Sequence, residues 1–149
     1  QALERFPSPA AVHVIFTAHS LPQRILQHGD PYPEELLASA RAVARDLRLG
    51  AWHFAFQSAG ASPEPWLGPD AGEVVRRLAG AGAKDFLIVP IGFVCDHVEI
   101  LYDIDVEYRQ LADRLGVRLE RTASLNDDPL LIEALADIVR RAAAERGWM

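Results

Sequence analysis

Apolar residues along this chain follow two rhythms, and the rhythms alternate. Four short runs are strand-like: AVHVIFTA (11–18), AWHFAFQS (51–58) and KDFLIVPIGF (84–93) are largely apolar, and GVRLERTA (116–123) alternates apolar with polar residues. Runs of that length, rich in valine, isoleucine and phenylalanine, read as buried strands. The segments between them place apolar residues three and four apart, the period of a helix. In YPEELLASARAVARDL (32–47), Leu36, Leu37, Ala40, Val43, Ala44 and Leu47 share one side. PDAGEVVRRLAGAG (69–82) starts near Pro69 and ends in glycines, a helix with ordinary stop signals. DHVEILYDIDVEYRQLADRL (96–115) runs to Gly116, and DDPLLIEALADIVRRAAAER (127–146) is the last helix. The order is βαβαβαβα, which predicts an α/β domain with a four-stranded parallel sheet and flanking helices.

In such sheets ligands lie beyond the carboxyl ends of the strands. The loops there hold His19, Ser20, Gln57, Ser58, Trp66, Asp96, His97, Glu99 and Asn126. Polar groups therefore converge on one edge, and that edge is where a site is expected.

Between Asp96 and Glu107 lies a second pattern. Asp96, Glu99, Asp103 and Glu107 are spaced three, four and four apart. At about 100° per residue they fall within about 80° of one another on a helix. Like charges at that spacing repel by about 0.2–0.5 kcal/mol per pair. The stripe is either a solvated face or a track for cations or protons. On a regular helix His97 and Glu99 point about 200° apart, with His97 toward the apolar side of Ile104, Tyr108, Leu111 and Leu115. Both can line one site only if the helix starts irregularly or carries a wide π-type turn, a feature that often marks functional sites.

Composition narrows the classes. The 149 residues fit one domain, residues 1–149, and half are hydrophobic. The net charge is −6, with 15 basic and 21 acidic residues, which disfavours nucleic acid as a partner. The one cysteine, Cys95, reads as a buried small residue; it excludes an internal disulfide and suits a reducing cytoplasm. His13 and His53 alternate within strands and read as packing residues. Trp66 reads as closing its loop. Ser20 lacks the G-x-S-x-G elbow of a hydrolase, and neither a GxGxxG nor a Walker loop is present for a nucleotide. The first residue is Gln, so the chain is expected to be a piece of something longer.

TAHSLP (17–22), GDPYP (29–33), FQS and PWLGP (56–58 and 65–69), VPIGFVCDHVEILYDIDVEY (89–108) and SLNDDP (124–129) together resemble ferrochelatase, over essentially the whole chain. The resemblance implies a chelatase-type, Rossmann-like lobe, the carboxyl-terminal one of two, with the porphyrin held between them. It implies His19 as the catalytic histidine and His97 and Glu99 as a second essential pair. It implies Asp96, Asp103 and Glu107, with His19 and Glu99, as groups that handle the metal. The family usually has Glu at position 103, Thr at position 100 and a basic residue at position 59; Asp103, Ile100 and Ala59 stand here. Ferrous iron is then a substrate, no cofactor is bound tightly, and with Cys95 alone no iron–sulfur cluster is expected. The expected partners are a porphyrin (protoporphyrin IX or coproporphyrin III), ferrous iron and the absent amino-terminal lobe, with peripheral membrane contact left open. Alone, this lobe is expected to be inactive. Two other readings stand beside this one: another tetrapyrrole metal chelatase, or a non-catalytic lobe that binds haem or metal.

Overall fold

The computed structural model describes residues 1–148. Four strands form one sheet: β1 (His13–His19), β2 (Trp52–Gln57), β3 (Asp85–Val89) and β4 (Arg118–Arg121). Their spatial order is β2-β1-β3-β4, and every pairing is parallel. The helices are α1 (Tyr32–Asp46), α2 (Ala71–Gly80), α3 (Arg109–Leu115) and α4 (Pro129–Glu145). All eight elements of the sequence reading are present. Most are trimmed at their ends by a few residues, where caps rather than periodicity set the boundary.

Right-handed crossovers explain the layering. The connection from β1 to β2 carries α1 to one face, where Val14 and Phe16 pack with Ala40 and Ala44. The connections from β2 to β3 and from β3 to β4 carry α2 and α3 to the other. There Ile15, Phe86 and Ile88 meet Val74, Val75, Ile104 and Leu111. Alternate residues of one strand serve opposite faces. The connections leaving β1 and β3 therefore part in opposite directions, and a crevice opens between the ends of these strands.

Three departures concern the helices. The third helical segment begins at Val98 and not at 96, and Ile100–Tyr108 is π-helical before the chain tightens into α3. The fourth, α4, buries none of its residues. Of the apolar side of α1, only Ala40 and Ala44 are buried; Leu47 is 63% exposed.

Candidate functional site

His19 ends β1 and Gln57 ends β2, and the two are partners in register. Beyond β3 the chain makes a tight passage. Gly92 N–H donates to the Thr17 carbonyl at 3.0 Å. A Cβ on Gly92 would stand 2.5 Å from Ala18 Cβ and 2.8 Å from Ala18 Cα, so only glycine brings this loop so close to β1. Phe93 follows, its ring centroid 6.5 Å from that of His19 and 5.0 Å from that of His97. The loop thus delivers His97 and Glu99 to the crevice beside His19.

His97 precedes the helix, so its predicted place on the apolar side does not hold. Its Nδ1 accepts a hydrogen bond from Glu99 N–H at 3.3 Å, satisfying one of the free donors of the helix start. The Glu99 carboxylate then lies 3.8 Å from His97 Nδ1 and 3.3 Å from His19 Nε2. The irregular start is what allows both groups to face one site.

The His19 tautomer gives this contact its meaning. Nδ1 is hydrogen-bonded to the Ser20 carbonyl, and a carbonyl only accepts, so Nδ1 carries the proton. Nε2 then presents a lone pair toward a carboxylate. Two acceptors this close require a proton or a cation between them. A separation of 3.3 Å is also about the span of neighbouring ligands each ~2.1 Å from one metal ion. The backbone of His19 is held as well, since Tyr32 Oη donates to its carbonyl at 2.9 Å.

Further along the π-helix, Asp103 accepts a hydrogen bond from Ser58 Oγ. Ser58 reaches it because its backbone is left-handed, at φ 60°. Asp103 and Glu107 border a cavity of about 460 Å³ together with Ser58, Asp70, Arg76 and Arg114. Tyr108 closes it from within: burial raises its phenol, Asp70 adds to the shift, and Tyr108 Oη donates to Asp70 at 3.2 Å. A spacing of four overshoots an α turn and falls short of a π turn, so Glu99, Asp103 and Glu107 stay near one face.

Asp96 departs from that line. It accepts from Ser124 Oγ at 2.7 Å and from Asn126 Nδ2 at 3.2 Å, and its N–H donates to Asn126 Oδ1 at 2.9 Å. Arg121 Nη1 lies 3.3 Å away. Hydrogen bonds from Ser124 and Asn126, with Arg121 behind them, hold its carboxyl below the usual range. Asp96 ties the loop after β3 to the loop after β4. The four-carboxylate stripe is therefore a three-carboxylate stripe with a structural clasp at its head. Nor are His19, Asp96, Glu99, Asp103 and Glu107 gathered into one centre. Among the described residues, no three His, Cys, Asp or Glu side chains are arranged to hold a metal.

The family model described as Ferrochelatase matches residues 1–143. The chain belongs to the ferrochelatase family. It is 52% identical over 141 residues to a ferrochelatase of Herpetosiphon aurantiacus, covering 93% of this chain and 46% of the relative. To a ferrochelatase of Deinococcus radiodurans it is 48% identical, covering 96% and 46%. To a coproporphyrin III ferrochelatase of Geobacillus thermodenitrificans it is 45% identical, covering 90% and 43%. The chain thus spans about half the length of the curated relatives it matches. Among solved structures, a CbiX protein of Marinobacter aquaeolei superposes with a TM-score of 0.66 at 18% identity, covering 90% of this chain and 98% of its own. That likeness concerns the fold alone.

Other candidates of the ferrochelatase-like text resolve into structure. Ser20 Oγ donates to the Leu67 carbonyl at 2.8 Å and is buried, so it serves the loop. Trp66 closes the loop after β2: Gln23 Nε2 donates to its carbonyl, and its indole N–H donates to Ser62. Cys95, read as a buried small residue, is exposed. His13 and His53 are more than packing residues, because their ring nitrogens meet at 3.1 Å. Sequence reasoning passed over Gly92, Phe93 and Arg121. Gly92 and Phe93 stand inside the VPIGFVCDHVE text, where a Gly-Phe pair at a strand end was the available signal. Arg121 gave none, because only the fold brings it to Asp96 and Asp105.

No helix among the described residues is long and apolar enough to cross a membrane.

Proposed function

We propose that this chain is one lobe, the carboxyl-terminal one, of a two-lobed ferrochelatase, and that it carries the groups that insert ferrous iron into a porphyrin. The observation that carries the reading is the His19–Glu99 pair, 3.3 Å apart at the mouth of the crevice. Metallation removes two pyrrole protons and brings a divalent ion to the ring nitrogens. His19 Nε2 presents a lone pair to the macrocycle, and the adjoining carboxylate balances the charge as a proton or iron arrives. His97, its ring tilted against that of Phe93, fixes the Glu99 end of the pair. Asp103 and Glu107 continue from Glu99 along the π-helix as the approach for protons or hydrated iron, for which hard oxygen donors suit. Asp96 serves by holding the loop that carries His97 and Glu99.

Iron enters as substrate. No tightly bound cofactor is required for these steps, and Cys95 alone supports no iron–sulfur cluster in this lobe. An exposed single thiol suits a reducing cytoplasm as its compartment. Relatives named ferrochelatase and coproporphyrin III ferrochelatase match at similar identity, so both porphyrins belong in the assay.

The test uses the full-length protein that contains this chain, with ferrous iron and each porphyrin in turn. Metal insertion by the wild type, abolished in Glu99→Gln with porphyrin binding retained, is the expected result. Wild-type protein that metallates neither porphyrin, or Glu99→Gln at full turnover, would refute the reading.

A further inference from the structure

Glu99 and Asp103 belong to a helix that the core holds on one side only. Of the nine π-helical residues Ile100–Tyr108, Ile100, Ile104 and Tyr108 are the buried ones. Helices of this width are rare and mostly limited to single turns. One packed stripe fixes the side that meets the sheet. It leaves the start of the helix, where Glu99 stands, to be held by something else.

Arg121 supplies that hold. It is the last residue of β4 and pairs in register with Ile88 of β3. Its Nε and Nη2 donate to the two Asp105 carboxylate oxygens at 2.8 and 3.0 Å. Its Nη1 lies 3.3 Å from Asp96 Oδ1 and donates to the Thr122 carbonyl at 3.1 Å. The side chain is 15% exposed, against 40% for Arg118 and 51% for Arg109. One guanidinium thus grips two carboxylates nine residues apart in the chain, and His97, Glu99 and Asp103 lie between them. Only a planar fork of donors can take one carboxylate in a bidentate grip and still reach a second.

The anchor is shared with His19. β1 pairs with β3, and β3 pairs with β4, so His19 and Arg121 are mounted on one sheet. Holding Asp96 and Asp105 against β4 therefore holds Glu99 against His19. Arg121 does so from a distance, since its polar contacts are with Asp96, Asp105 and Thr122. An ion pair this little exposed gains little stability over an apolar replacement, so its use here is geometric.

We infer that Arg121 is a positioning residue for metal insertion: by tying both ends of the span 96–105 to the sheet, it sets the 3.3 Å approach of Glu99 to His19. The inference rests on the ferrochelatase reading above.

The test uses the full-length protein that contains this chain. Arg121→Met combined with Asp105→Leu removes the tie and fills its place with apolar groups, an exchange that often keeps stability. Arg121→Lys keeps the charge but not the fork. Arg118→Met, which breaks an exposed pair with Glu120 on the same strand, is the control. In the double variant kcat for iron insertion should fall about 10²-fold, the scale of a misplacement near 1 Å. Its KM for the porphyrin and its melting temperature should stay near wild type. Arg121→Lys should fall between the two, and Arg118→Met should match wild type. Amide hydrogen exchange across 96–105 should quicken in the double variant, with β1 and β3 unchanged. Should the double variant not fold, Arg121→Lys carries the same comparison. Full kcat in either Arg121 variant, an equal loss in Arg118→Met, or a loss of kcat that appears only with a lowered melting temperature would overturn the inference. Exchange does not depend on turnover. A wild type that metallates no porphyrin, with exchange quickened in the variant, sinks the ferrochelatase reading alone; a fully active variant with unchanged exchange sinks this inference alone.

Discussion

Strand β1 begins and ends in histidine, and the two ends were put to opposite uses. His13 opens the strand at the amino edge of the sheet; His19 closes it about 20 Å away. His13 Nδ1 meets His53 Nε2 at 3.1 Å, with the Phe86 ring at 6.0 Å. That pair shares one proton between two imidazoles, and both facing nitrogens are engaged. His19 instead has one nitrogen fixed on a carbonyl and the other turned to Glu99 in an open crevice. The residue type is the same and so is the strand face. What separates a structural histidine from a chemical one is the partner at its second nitrogen.

Several experiments test this contrast. The largest effect belongs to His19→Ala in the full-length protein. Removal of a group that takes up a proton in the reaction should lower metal insertion by about 10²–10⁴-fold, with porphyrin affinity and melting temperature near wild type. His13→Leu should leave turnover nearly unchanged, so equal losses at the two ends of β1 would erase the comparison. Next is Gly92→Ala. Its new methyl meets the Ala18 backbone, and overpacking of this kind costs about 1–3 kcal/mol, measurable by urea unfolding. An unchanged midpoint would mean that the close passage after β3 is not needed. Asp103→Ala should reduce the rate less than Glu99→Gln does, because Asp103 meets Ser58 and not His19. Steady-state kinetics with iron varied would show the reverse order if the main metal role lay further along the helix.

The smallest effect is a pH dependence at the amino edge. Burial lowers the His53 pKa, and His13 and Arg77 lower it further. Its unfolded value is about 6.5. Below that pH, and down to the lowered folded value, the unfolded chain binds more protons, so stability falls as pH falls. Melting temperature should therefore drop between pH 7 and 5, and the drop should shrink in His53→Phe. An unchanged slope would remove the titration from this pair.

Periodicity alone determined the eight elements, their parallel arrangement and the edge on which His19 and Glu99 meet. These follow from which residues turn inward every second or every third to fourth position, a property of neighbours in the chain. The need for an irregular or π-type turn before Asp103 was likewise legible, because His97 and Glu99 cannot share a side of a regular helix. The tertiary structure alone decided the rest. It took Asp96 out of the acidic line, since Ser124, Asn126 and Arg121 lie about 25–30 residues away in sequence and arrive only when β4 pairs with β3. It made His13 and His53 partners across 40 residues, and it left α4 without a core. Spacing along a chain says which side chains share a face, but only the packed fold says what that face meets.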